Sequence, residues 1–129
     1  MLNQKSILIV DDNAFVALDL AMAVEGLNGC VLGPVGTVAE ALNLIETMPV
    51  CGAVVDCQLA DSCVTPLVGA LVEKGVPIVM QTDADIPAAL SQSYPDLPVL
   101  RRPIQPSTVL EVLVDIMRTT DKFRRQDVT

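Results

Sequence analysis

Two stretches decide the fold: Ile7-Leu8-Ile9-Val10-Asp11-Asp12 and Gly52-Ala53-Val54-Val55-Asp56. Each is a short unbroken apolar run that ends in aspartate. A run without polar alternation reads as a strand buried on both faces. Both runs therefore place carboxylates at the C-terminal end of a strand, the edge where open parallel α/β sheets bind ligands. Three carboxylates at one edge repel one another unless a divalent cation lies among them. The pattern points to Mg²⁺-dependent phosphoryl chemistry.

Outward from these runs, strand-like and helix-like segments alternate. Strands are expected over 7–11, 30–34, 52–56, Pro77–Thr82 and Pro98–Arg102, and helices over 14–27, Thr37 to Thr47, Pro66 to Glu73, Ala88–Ser93 and Pro106 to Thr119. Gly29 is a stop signal for the first helix, and Thr37-Val38-Ala39-Glu40 has capping-box spacing. Pro87 permits only a short, late-starting fourth helix, and Pro106 suits the first turn of the last. Residues 57–65 read as a loop containing Asp61 and Ser62. Five β/α units with right-handed crossovers make a parallel sheet covered on both faces. The expected fold is an α/β three-layer sandwich over residues 5–119, followed by a short polar C-terminal tail over 120–129.

Composition narrows the function. The 129 residues suffice for one domain with a sizeable core, and a hydrophobic content of 51% excludes a disordered chain. No apolar run approaches the ~18 residues of a membrane span, and Met-Leu-Asn-Gln-Lys-Ser lacks the shape of a signal peptide. A cytoplasmic protein without membrane contact is expected. The net charge is −8, and the basic cluster Lys122, Arg124, Arg125 lies in the tail, so direct nucleic-acid binding is not expected. Four cysteines without a C-x-x-C pair, and no histidine, exclude a Cys/His zinc site in its usual form. Cys30 and Cys51 are expected as core filler. Cys57 and Cys63 flank the acidic edge, in positions to be accessible. Without histidine the chain cannot donate from a phosphohistidine; in a relay it can only accept on aspartate.

These residues resemble the receiver domain of bacterial two-component response regulators. The resemblance rests on Ile-Leu-Ile-Val-Asp11-Asp12 ending the first strand, Val-Val-Asp56 ending the third, Thr82 ending the fourth and Arg102-Pro103 ending the fifth. It implies a flavodoxin-like fold with sheet order 2-1-3-4-5. It also implies that Asp56 is the phosphoacceptor and that Asp11, Asp12, Asp56 and the backbone carbonyl of Gln58 hold Mg²⁺. Thr82 would donate its hydroxyl to a phosphoryl oxygen as the switch, and the partner would be a sensor histidine kinase or phosphotransfer protein. The segments Leu-Asp-Leu, Gly-Pro-Val-Gly-Thr-Val-Ala-Glu-Ala-Leu and Val-Leu-Arg-Arg-Pro look most like stand-alone receivers of alpha-proteobacterial type.

Three positions depart from that pattern. The fifth-strand lysine is Arg102, a longer planar fork that can grip a phosphoryl group bidentately. The small residue after the switch threonine is Asp83, a fourth carboxylate that should slow phosphorylation or shorten its lifetime. The two are expected to pair while Asp56 is unmodified. The fifth-strand aromatic is Val99, and Tyr94 does not replace it, so output is expected to work through residues 83–98.

The first helix carries Ala14, Ala17, Leu18, Ala21 and Met22, which by analogy with receiver helices should face outward as a partner-docking or homodimer face. With only a short tail after the last helix, a single-domain response regulator with output through protein–protein contacts is expected. It would catalyse only its own phosphorylation and dephosphorylation. The alternative is a pseudo-receiver, an interaction module that switches weakly or not at all. A haloacid-dehalogenase-like phosphatase would need a second aspartate two residues after the nucleophile, where Asn13 and Gln58 stand.

Overall fold

The computed structural model describes residues 2–59 and 61–127, without the side chains of 120–127. Five strands and five helices alternate: β1 (Ser6–Val10), α1 (Ala14–Gly26), β2 (Cys30–Val35), α2 (Val38–Thr47), β3 (Gly52–Asp56), α3 (Thr65–Glu73), β4 (Ile78–Thr82), α4 (Ala88–Ser93), β5 (Val99–Arg101) and α5 (Pro106–Asp127). All strands pair in parallel in the order β2-β1-β3-β4-β5. The flavodoxin-like order expected from the sequence is the one observed.

The three central strands are apolar until their C-terminal ends because each face packs under helices. Leu8, Val10, Ala53, Val55, Ile78 and Met80 meet Ala41 and Ile45 of α2 and Leu67, Val68 and Leu71 of α3. On the other face Ile7, Ile9, Val54 and Val79 meet Leu20 and Val24 of α1 and Leu110 and Leu113 of α5. Alternate residues of one strand thus feed two separate cores, as the period of two requires.

Local polar contacts set the helix starts. Asn13 accepts from the N–H groups of Phe15 (3.0 Å) and Val16 (3.2 Å) and so caps α1. Thr37 caps α2: its Oγ1 accepts from Glu40 N at 3.1 Å and donates to Glu40 Oε1 at 2.9 Å. A second acceptor comes from afar. The Asp61 carboxylate, in the loop after β3, accepts from Val38 N at 3.1 Å through both oxygens. Its negative charge at a helix N-terminus is favourable, and it ties the loop that follows the acidic edge to the neighbouring helix. Asp61→Ala should lower stability by about 1 kcal/mol, read as a lower urea midpoint with an unchanged slope.

Several expectations are corrected. α5 does not stop at Thr119 but continues to Asp127, through what was read as a tail. The cluster Lys122, Arg124, Arg125 falls where side chains lie outside the described residues. Cys30 is exposed at the start of the edge strand β2, not core filler, whereas Cys51 is half-buried and does pack against the core. Cys57 is buried in the core, because the side chain after Asp56 points to the opposite face from the aspartate. Burial pushes its thiol up to about 11. Ala17 and Ala21 do not face outward: they are 4% and 6% exposed and pack in the core. The exposed apolar stripe of α1 is Phe15, Leu18 and Met22, with Ala14 beside it. No helix among the described residues is long and apolar enough to cross a membrane.

Candidate functional site

Strand register assembles the site. Val10 pairs with Val55, so Asp11 lies one step beyond the β1–β3 ladder, beside Asp56. Asp56 in turn pairs with Gln81, and Thr82 with Arg101. The residues that follow, Asp83 and Arg102, continue that row above the edge.

One carboxylate oxygen from each of Asp11, Asp12 and Asp56 lies within 4.8 Å of the others. Asp11 and Asp56 are buried, and Asp12 is exposed. The two buried carboxylates are held by their own loops. Asp11 Oδ1 accepts from Asn13 N at 2.9 Å, and Asp56 Oδ1 accepts from Gln58 N at 3.0 Å. Burial raises the Asp11 carboxyl above its ordinary value, against the Asn13 N–H and the Arg102 charge, which lower it. Asp56 is raised for the same reason, against the Gln58 N–H and Arg102. Both shifts express the cost of keeping clustered anions out of water.

Arg102 answers that cost. Its side chain is only 14% exposed, and Nη2 lies 2.6 Å from Asp11 Oδ2. Nη1 is 3.2 Å from Asp83 Oδ2 and 3.7 Å from Asp56 Oδ2. Nε donates to Gln81 Oε1 at 3.0 Å. The expected Arg102–Asp83 pair is present, but Arg102 also contacts Asp11, which the sequence did not reveal. Arg101 pairs with Asp85 at the open surface, at 3.2 Å with Asp85 99% exposed, and such a pair contributes little.

Thr82 is buried at the end of β4, and its hydroxyl is engaged in its own turn. It donates to the Ala84 carbonyl at 3.0 Å and accepts from the Ala84 N–H at 3.1 Å. The following segment is lightly anchored: in α4 only Leu90 is buried. Two residues that sequence reasoning passed over prove structural to the site. Asp61 was noted only as a loop residue, and Gln81 only as part of a strand. Gln81 carried a usable signal, being the one polar residue before Thr82 in an otherwise apolar strand.

No family model matches the chain, and no curated protein matches it. Solved structures do. A CheY-like response regulator receiver domain from Methanospirillum hungatei JF-1 superposes with a TM-score of 0.81 at 24% identity, covering 92% of this chain and 97% of that one. SdrG from Sphingomonas melonis Fr1 gives a TM-score of 0.72 at 28% identity, covering 91% and 98%. A Burkholderia pseudomallei response regulator, solved with a phosphorylated aspartic acid, a calcium ion and citrate, gives 0.74 at 21% identity over 95% of this chain and 72% of that one. With its 2-1-3-4-5 parallel sheet and its aspartates at the C-terminal edge, this chain has the fold of the CheY-like response regulator receiver domains.

Proposed function

We propose that the chain is a phosphorylatable receiver that accepts a phosphoryl group on Asp56 from a phosphohistidine donor. The observation that carries this reading is the convergence of Asp11, Asp12 and Asp56 within 4.8 Å at the end of a buried sheet, with a guanidinium at its rim. The donor set fits a small hard cation. Mg²⁺ takes oxygen ligands at about 2.0–2.1 Å, so the three carboxylates, already within 4.8 Å of one another, would draw closer together to hold it. Asp11, Asp12, Asp56 and the Gln58 carbonyl would hold it. When bound, Mg²⁺ screens the phosphoryl charge from the attacking carboxylate.

The chain's own residues do the rest. The free oxygen of Asp56 attacks phosphorus in line, the P–N bond of phosphohistidine breaks, and its electron pair returns to the imidazole. Arg102, with Nη1 3.7 Å from Asp56 Oδ2, is in position to take a phosphoryl oxygen. Thr82 reaches one only by leaving Ala84, which frees the start of residues 83–98 and makes the hydroxyl a switch. Asp83, 3.2 Å from Arg102, competes with the phosphoryl group for the same guanidinium and so modulates it. The chemistry is confined to the chain's own aspartate, and output goes to a protein partner. A sensor kinase or phosphotransfer protein would dock over α1. Loss of donor pull-down on Leu18→Glu or Met22→Glu is the expected result there, and unchanged binding would end the claim.

The reading is tested by incubating the chain with Mg²⁺ and acetyl phosphate and measuring its intact mass. A gain of one phosphoryl group is expected. A pseudo-receiver is the second reading, favoured by the 2.6 Å contact of Arg102 with Asp11, which already supplies the acidic edge with a counter-charge. No gain under conditions that label an ordinary receiver would select it.

A further inference from the structure

The loop that follows β3 begins on the acceptor aspartate itself. Asp56 Oδ1 accepts from the Gln58 N–H at 3.0 Å, so the Gln58 peptide restrains how the carboxylate turns. Leu59 then enters the core, and Val64 enters it again just before α3. Both contacts are apolar, and apolar contact has no direction. The directional hold on this loop comes from Asp61.

Asp61 reaches across to another element. Both of its oxygens accept from Val38 N at 3.1 Å, and Oδ2 lies 3.5 Å from Ala39 N. The partner is firmly placed. Val38 is 4% exposed, and its side chain packs in the same core cluster as Leu59 and Val64, with Ala41 and Ile45 from the next turns of α2. The start of a helix also favours a carboxylate. Yet α2 already has a local cap in Thr37, whose Oγ1 accepts from Glu40 N. The distant carboxylate therefore serves the loop as much as the helix.

The same junction touches the other side of the acidic edge. Gly36 lies against the loop after β1: a Cβ built on it would stand 3.6 Å from Asp12 Cα and 3.8 Å from the Asp11 carbonyl oxygen. Residues 36–39 thus meet both loops of the edge. Gly36 meets the loop of Asp11 and Asp12, and Val38 and Ala39 meet the loop of Asp56 through Asp61.

We infer that Asp61 is a positioning residue for the acceptor: its bonds to the start of α2 hold the loop that orients Asp56 through Gln58, and so set the rate at which Asp56 takes a phosphoryl group. The inference rests on the reading of Asp56 as phosphoacceptor and adds a remote residue to it. Asp61 acts through the Gln58 peptide and not on the donor. In-line attack is sensitive to small misplacements of the attacking oxygen. Releasing the loop therefore costs rate while the nucleophile stays intact.

The test compares the full chain with Asp61→Ala, Asp61→Asn and Thr37→Ala, each incubated with Mg²⁺ and acetyl phosphate and followed by intact mass. Thr37→Ala controls for stability: it removes a cap from the same helix end, at a similar cost, and leaves the loop tied. Asp61→Ala is expected to slow labelling by about three- to tenfold. Asp61→Asn keeps an acceptor for Val38 N and should recover most of the rate. Thr37→Ala should label at the parent rate. A second readout needs neither metal nor phosphodonor: hydrogen exchange of the Gln58 amide should quicken in Asp61→Ala and keep the parent rate in Thr37→Ala. If Asp61→Ala does not fold, Asp61→Ser, with a side chain too short for Val38 N, takes its place. Parent-rate labelling of Asp61→Ala, equal slowing in Thr37→Ala, no recovery in Asp61→Asn, or unchanged Gln58 exchange overturns the inference alone. Absence of labelling in every chain, the parent included, overturns it together with the reading it rests on.

Discussion

Asp56→Asn should take no phosphoryl group from acetyl phosphate while remaining folded. The substitution keeps the shape of the side chain. It also keeps the Oδ1 acceptor that binds the Gln58 N–H at 3.0 Å, so the turn after β3 survives. What it removes is the nucleophile, since a neutral amide oxygen does not displace a phosphoryl donor at a useful rate. It also removes one of three clustered charges, two of them in buried side chains. Because burial raises the Asp56 carboxyl, the folded state penalises its ionised form at neutral pH. The melting temperature of the metal-free variant should therefore not fall below that of the parent. Loss of labelling together with loss of folding would point instead to a structural role for Asp56.

Arg102→Ala should be the most destabilising change at the site, by about 3–5 kcal/mol without metal. This follows because the guanidinium is 14% exposed and its partner Asp11 has a side chain only 2% exposed. Removing one member of so buried a pair leaves a desolvated carboxylate alone beside two others. In a domain of this size the loss amounts to about 10 °C or more in melting temperature. Mg²⁺ should restore most of it, because a dication supplies the missing counter-charge, and stabilisation by a ligand rises with its concentration. The pH dependence has a definite sign. The folded-state values of Asp11 and Asp56 are raised, so their ionised forms cost stability. That cost is absent below the ordinary carboxylate range and grows as pH rises through the raised values. Without Arg102 the values rise further. The deficit of Arg102→Ala should thus be full at neutral pH and shrink on acidification, as scanning calorimetry at several pH values would show. A deficit that grew on acidification would mean that Arg102 is not the counter-charge of these carboxylates.

Much of this arrangement was legible in the chain. The unbroken apolar runs at Ile7–Val10 and Gly52–Val55 marked strands buried on both faces, five β/α units implied a parallel sheet, and its order followed from the family resemblance alone. Asp11, Asp12 and Asp56 come together because β1 and β3, parallel neighbours in the sheet, end at one edge, which is a matter of topology and not of side-chain detail. What escaped the sequence was decided by side-chain direction and by distant partners. Ala17 and Ala21 were read as outward, but the inward stripe of α1 runs Ala17, Leu20, Ala21, Val24, and a helix charged only at Asp19 and Glu25 has too little polar face to reveal it. Phe15, 82% exposed, was overlooked for the same reason. Asp61 caps a helix whose N-terminus lies 23 residues earlier, and no local pattern shows that. The Arg102–Asp11 contact spans 91 residues and joins the ends of β1 and β5, which are not neighbours in the sheet, so the sequence offered Asp83 as the nearer partner. The end of α5 was missed because a polar stretch without proline or glycine can continue a helix as readily as leave it.

The central claim is that this acidic edge is an aspartyl phosphoacceptor site that works with a divalent cation. The most direct test labels the full chain with acetyl phosphate in Mg²⁺ and, in parallel, in a chelator, and then maps the label by tandem mass spectrometry. The account predicts one phosphoryl group, on the peptide containing Asp56, formed only with Mg²⁺ and released by hydroxylamine as an acyl phosphate must be. Label on Ser62, Thr82 or any other hydroxyl, label that resists hydroxylamine, or equal labelling in the chelator would contradict it.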